Sequence, residues 1–328
     1  MNDIRRILVA VKSPTAKALP AVIKASQLAK SFAAELVLFQ AIALPAYIES
    51  GANYLNDGLA DAESCAAEAA EKALNGIARR LRHKGINVSI SVQFDYPIYE
   101  AVIREAIRLE ADLIVAEQHH GHRAASFLHL VDWELLRLSP VPLLLVKDPR
   151  AYRRPKVLAA VDPNHTSGKP VWLDREILNA AQQIAKALHG TLHAVHAYAP
   201  IPALAFPTGA TTEEEVEALC ARSGRAANKK LKRTLRDAEI LKAVTHVSSR
   251  HPADAIADLA SEIQSSLVVM GSISRSGFQR LVIGNTAERV LDRLSCDVLA
   301  IKPGYLGKSV PLRRRDTLQM QSATNSVN

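Results

Sequence analysis

Apolar residues along this chain follow two rhythms. Short unbroken runs such as ILVAV (residues 7–11), LVLF (36–39), LIVA (113–116) and LLLV (143–146) alternate with longer stretches in which apolar residues return every three or four positions. The first rhythm predicts strands buried on both faces, and the second predicts helices with one buried stripe. In order, the first 148 residues read as strand RRILVAVK, a helix whose apolar face is Ala21, Ile23, Ala25, Leu28, Ala29 and Phe32, and strand AELVLFQAIAL. A long helix from Asp57 to His83 follows, with Gly85 as its stop signal. Strand NVSISVQF, helix IYEAVIREAIRL, strand DLIVAE, helix DWELLRLS and strand LLLVK complete the series.

The series then repeats. RRILVAVK returns as RPKVLAAVD, DLIVAE as SSLVVMG and PLLLVKDP as DVLAIKPG, so that Lys12 maps to Asp162, Glu117 to Gly271 and Lys147 to Lys302. A near-constant displacement in constant order means two copies of one unit. The expected units are residues 1–148 and 153–304, followed by a tail, 305–328, read as disordered. The second unit's long helix spans Glu213 to Ala238, with Thr211 and Glu214 placed as a capping box. Alternating strands and helices predict an α/β fold of two tandem, doubly wound, mostly parallel five-stranded open sheets with helices on both faces. The last strands, LLLVK and VLAIK, would be exposed apolar edges, and pairing them across the copies buries both. The chain is therefore expected to form an internal pseudo-dimer, with further homodimerisation open.

Composition narrows the function classes. The chain has 328 residues and is 48% hydrophobic, enough for two cores. It has no apolar run of about 20 residues and no apolar leader near its first residues, which makes the cytoplasm the expected location. Cys65, Cys220 and Cys296 are too far apart in sequence for a CxxC pair and read as reduced thiols. The net charge of +8 is concentrated in local clusters such as Arg153, Arg154 and Lys156, Lys229 to Arg233, and Arg313 to Arg315. These lack interleaved aromatic residues, so nucleic acid is not an expected partner.

Candidate chemistry concentrates in VVMGSISRSGFQRLVIGNTAERV, residues 268–290. A strand runs into Gly271, and a helix begins just after Gly284, with Asn285 as N-cap and Glu288 three residues on. A helix N-terminus offers unpaired N–H groups and a partial positive charge to an anion, and Arg275 and Arg280 add charge. The alternative reading is that both glycines serve backbone turns in the fold.

This pattern resembles the Gly-x2-Gly-x9-Gly-[Ser/Thr] phosphate loop of the universal stress protein family. Here it reads Gly271, Ser274, Gly284 and Asn285, with serine and asparagine at two of the family's positions. The GNTAERV, DWELLR and CDVLAIKP segments and the tandem arrangement are similar to the E-type tandem members, over residues 4 to 304. The resemblance implies an adenine-nucleotide alpha-hydrolase-like fold and a stress-response role. It further implies ATP, with Mg²⁺ as a possible companion, bound in the second unit as a sensory or regulatory ligand. Asp162 would address the base, and Gly271, Ser274, Arg275, Gly284, Asn285 and Thr286 would surround the phosphates. An alternative for Asp162 is a turn cap into PNH.

The first unit departs from that pattern. Lys12 replaces the aspartate, Glu117 stands at the first glycine position and Asp132 lies near the helix start. Carboxylates there repel polyphosphate, so this unit reads as degenerate for ATP. EQHHGHR supplies His119, His120 and His122, with His129 nearby, as candidate zinc ligands, but no cysteine or carboxylate set completes them. His193 and His196, three apart on one strand, point to opposite faces, and with His246 they read as structural. YAPIPALAFPTGA (198–210) reads as a loop packed on itself; as a lid it would suit a lipid-like or nucleotide-sugar ligand. Neither a GxxxxGK[ST] loop, a GxSxG elbow nor an HExxH pair occurs, and no catalytic constellation is evident. Two further readings stay open: a non-nucleotide interaction module acting on an unknown protein or lipid-like partner, and a slow ATPase switch.

Overall fold

The computed structural model describes residues 4–43, 56–118, 133–164, 171–198, 213–272 and 285–302. The first copy supplies β1 (Arg6–Ala10), α1 (Pro20–Phe32), β2 (Glu35–Ile42), α2 (Asn56–Arg82), β3 (Val88–Phe94), α3 (Ile98–Arg108), β4 (Leu113–Glu117) and β5 (Leu143–Val146). The second supplies β6 (Lys156–Val161), α4 (Val171–Ala187), β7 (Thr191–Ala197), α5 (Glu213–Asp237), β8 (Val244–Ser248), α6 (Pro252–Glu262), β9 (Leu267–Gly271), α7 (Asn285–Arg293) and β10 (Asp297–Ile301). A short helical segment over 133–138 precedes β5. The predicted tail, the Thr211 half of the capping box and the apolar segment from 199 onward lie outside the described residues.

The two five-stranded sheets are continuous, ten strands in the order β3-β2-β1-β4-β5-β10-β9-β6-β7-β8. Every pairing within a copy is parallel, as βαβ crossovers require. The join is antiparallel, with Leu145, Leu144 and Leu143 opposite Val298, Leu299 and Ala300. The expected pairing of the two apolar edge strands is thus what fuses the copies. Alternation along the strands divides the core into two layers, each running through both copies. Val9, Val115, Leu144, Leu299 and Val269 face α1, α2, α4 and α5, while Leu8, Ile114, Leu145, Val298 and Val268 face α3, α6, α7 and the 133–138 segment.

The long helix stops as expected. Gly85 takes a φ of +78°, and Ile86 N–H reaches back to the Leu81 carbonyl, a chain reversal that a side chain at this position would strain. The face of α1 is a correction. Ile23, expected inside, is 39% exposed, and Lys24 is 1% exposed in its place. The periodicity missed this because Lys24 has a partner 273 positions away: its ammonium pairs with the Asp297 carboxylate, which is fully buried.

Asp297 ties the copies together. Its Oδ2 accepts from Lys24 and from the Tyr152 hydroxyl at 2.6 Å, and its Oδ1 accepts from the main-chain N–H groups of Lys147 and Asp148 at 2.9 and 3.0 Å. A buried carboxylate needs such a full set of donors to offset its lost hydration. A reciprocal pair of lysines strengthens the join. Lys147, just after β5, donates to the Leu291 and Leu294 carbonyls at the end of α7. Lys302, just after β10, donates to the Arg137 carbonyl at the end of the 133–138 segment, at 2.8 Å. Each copy therefore caps a helix C-terminus of the other with a lysine amine that donates to its free carbonyls. Burial pushes both ammonium groups down, Lys302 to about 7.

Candidate functional site

In the second copy the strand order reverses between β6 and β9, which pair directly from Val157↔Leu267 to Ala160↔Met270. Open α/β sheets bind ligands at the carboxyl ends of strands flanking such a reversal. Asp162 leaves β6 there and Gly271 ends β9, so two sequence candidates more than a hundred residues apart come to the same place. The described part of α7 begins at Asn285. Thr286 follows in the same turn. Ser274, Arg275 and Gly284 lie outside the described residues.

Asp162 and Gly271 have structural work of their own. Asp162 Oδ1 accepts from the Asn164 N–H at 3.2 Å, the aspartate turn that was the alternative reading, and the Asp162 N–H donates to Asp174 Oδ1 at 3.1 Å. At Gly271 a Cβ would lie 3.0 Å from Leu173 Cδ2 and 3.3 Å from Ile177 Cδ1. Because α4 packs down onto the end of β9, a side chain here would have to push Leu173 and Ile177 aside by a few tenths of an ångström; the φ is not in the left-handed region. The 17-residue α4 is longer than the 13-residue α1, and the extra N-terminal turn brings Leu173 and Asp174 into the site.

Around Asp162 lies a polar network the sequence did not signal. Asn164 Nδ2 contacts His196 Nε2 at 3.2 Å, and Asn164 Oδ1 accepts from Lys230 Nζ of α5 at 2.7 Å. His196 is fully buried and Asp174 nearly so. Burial holds His196 below the usual histidine range, against the opposing pull of Asp162 and Asp174, and the neutral ring accepts at Nε2 when Asn164 donates. The strand alternation placed His196 on the same face as Leu192 and Ala194, but only the fold brings α5 and the β6 turn to it.

The first copy closes the equivalent place with its own side chains. Lys12 Nζ donates to the Glu117 carbonyl at 2.9 Å, and Glu117 Oε1 accepts from the Ala21 N–H at 3.0 Å, in the first turn of α1. A carboxylate thus already sits at that helix N-terminus, where an anionic ligand would be favoured. The cavity left between Val9, Lys12, Ala16, Leu19 and Glu117 is about 120 Å³. Asp132, the other acidic residue expected here, lies outside the described residues.

A larger groove, about 1020 Å³, opens at the opposite ends of β9 and β10, beneath the segment joining the copies. Most of its cations are committed: Lys24 to Asp297, Arg150 to Asp148, and Arg293 to Asp254 and Asp258. Among the described residues no cluster of three or more metal-ligating side chains occurs. His119, His120, His122 and His129 lie outside them. His193 and His246 stack on the face opposite His196, with Nδ1 and Nε2 3.0 Å apart. Burial lowers both, so the pair shares a hydrogen bond as neutral rings, in keeping with a structural role. Among the described residues, no helix is long and apolar enough to cross a membrane.

Known proteins agree with this architecture. The family model described as Universal stress protein family matches residues 3–147 and again 154–302. Universal stress protein E of Escherichia coli strain K12 is 32% identical over 239 residues, covering 70% of this chain and 72% of its own length. The protein of the same name from Salmonella typhi is 31% identical over 244 residues, covering 71% and 74%. Among solved structures, a putative universal stress protein from Pseudomonas aeruginosa UCBPP-PA14 aligns with a TM-score of 0.68 at 25% identity, over 94% of this chain and 96% of its own. A functionally unknown protein from Pseudomonas aeruginosa PAO1 aligns with a TM-score of 0.69 at 24% identity, over 94% and 95%. With the family's domain matched in both copies and the copies fused through one sheet, the chain belongs to the universal stress protein family, as a tandem member.

Proposed function

We propose that the second copy, residues 153–304, binds ATP at the carboxyl ends of β6 and β9 and that the protein acts as a nucleotide-responsive module in stress response. The observation that carries this reading is the convergence of Asp162 and Gly271 on the strand-order reversal, with the N-terminus of α7 following the loop that leaves β9. Asp162 is the base-facing residue. Gly271, Ser274, Arg275, Gly284, Asn285 and Thr286 form the phosphate end, where Mg²⁺ would accompany the triphosphate. The first copy, its helix N-terminus taken by Glu117, is the partner half and carries no second nucleotide. The role is regulatory, with hydrolysis at most slow, in the cytoplasm, and an additional homodimer is compatible with it.

Calorimetric titration of the full chain with Mg-ATP tests the reading. One site per chain is expected, abolished in a folded Gly284→Glu variant that places bulk and negative charge at the phosphate end. Heat from neither protein, with no nucleotide copurifying, would overturn it in favour of the non-nucleotide interaction module. Release of ADP over hours would identify the slow ATPase switch.

A further inference from the structure

Asp162 is the residue on which base recognition in the proposed site depends, so the contacts that orient its carboxylate matter. One reaches the carboxylate itself, and two more hold the residue that makes it. Asn164 returns its N–H to Asp162 Oδ1, and its side-chain amide is held from two sides, by Lys230 Nζ at 2.7 Å and by His196 Nε2 at 3.2 Å. The clamp draws on β6, β7 and α5, three elements whose relative positions are fixed by the core.

It also has a cost. His196 is 0% exposed, and burying a polar imidazole costs more than burying a leucine in its place. The first copy manages without the arrangement. Strand registers place Gln40 where His196 stands, Lys12 where Asp162 stands and Pro14 where Asn164 stands. A proline has neither the N–H nor the side-chain amide that the clamp uses. The network is therefore confined to the copy whose carboxyl end is not closed by its own glutamate.

We infer that Asn164, clamped between Lys230 and His196, is the positioning residue that orients Asp162 toward the nucleoside end of the ligand. This rests on the reading of the second copy as a nucleotide site. The clamp acts on the nucleoside alone, because the phosphates belong to the other end of the site, beyond β9.

The test separates the two ends. Full-length parent, Asn164→Ala, Lys230→Met and Lys230→Arg proteins are titrated calorimetrically with Mg-ATP, adenosine and inorganic tripolyphosphate. Asn164→Ala and Lys230→Met are expected to weaken ATP and adenosine by about tenfold, the order of one lost hydrogen bond to a charged group, and to leave tripolyphosphate within about twofold. Lys230→Arg, which retains a donor to Asn164, is expected to restore adenosine binding. Thermal melts identify any variant that loses its fold; Lys230, at the exposed surface of α5, then carries the test alone. A parent that binds ATP with variants that bind adenosine equally well overturns the positioning role only. So does an equal loss of adenosine and tripolyphosphate. A parent that binds none of the three overturns the nucleotide reading and this inference with it.

Discussion

At the scale of single residues, the same position often serves packing before it serves a ligand. Gly271 is the clearest case, since the family motif has glycine there and Leu173 crowds the position. Gly271→Ala should lower stability by about 1–3 kcal/mol through overpacking, measured by urea unfolding. Adding Leu173→Ala should recover part of the loss, because the clash goes with the leucine; strict additivity of the two changes would show that crowding is not the cause. Asp297 is a second case. Replacing it with alanine strands the buried Lys24 ammonium and the Tyr152 hydroxyl, and a loss of about 3–5 kcal/mol is expected from denaturant unfolding. The Asp297 side chain could not be read as buried from DVLAIKP, because its partners lie in α1 and in the segment between the copies.

At the scale of elements, strands were legible and helix faces only in part. Unbroken apolar runs marked most of the inner strands, which are covered on both faces, while the edge strands β3 and β8 mix polar with apolar residues and are only half-buried. The face of α1 was misread at Ile23 and Lys24 because a lysine is counted polar until its counter-charge is known. The lysines that end LLLVK and VLAIK were visible as repeats, but their helix-capping role appears only when each reaches into the other copy. Lys302 gives a pH-dependent consequence. Its folded value of about 7 lies below the ordinary 10.5, so between those values the unfolded chain binds a proton that the folded chain does not. Stability contributed by this group therefore rises with pH across that window. Relative to Lys302→Met, the parent should gain up to about 1.4 kcal/mol per pH unit from pH 7 upward in matched urea titrations. A constant difference between the two proteins across the window would refute the assignment.

At the scale of the whole molecule, one sheet and two continuous core layers run through both copies, so the copies are expected to unfold together. The chain's two tryptophans, Trp133 and Trp172, lie one in each copy. In Trp133→Phe and Trp172→Phe proteins the remaining fluorophore reports its own half, and the two urea transitions should coincide with each other and with loss of helical circular dichroism. Separate midpoints would mean that the β5–β10 join and the Asp297 hub couple the copies weakly. The two copies differ at their carboxyl ends: Lys12 and Glu117 close one, while Asp162 and Gly271 stand at the other.

The sequence by itself determined the strand runs, the duplication, the pairing of the apolar edges and the family resemblance, because periodicity and repeated motifs are local or self-referential signals. The tertiary structure alone decided that the join between the copies is antiparallel, with Leu144 opposite Leu299. It also decided that Gly271 is crowded by an extra turn of α4, that Glu117 caps α1, and that Asn164 is held by Lys230 and His196. Each of these depends on contacts between residues far apart in the chain, and a polar side chain's burial, charge and partner are set by those contacts and not by its neighbours in sequence.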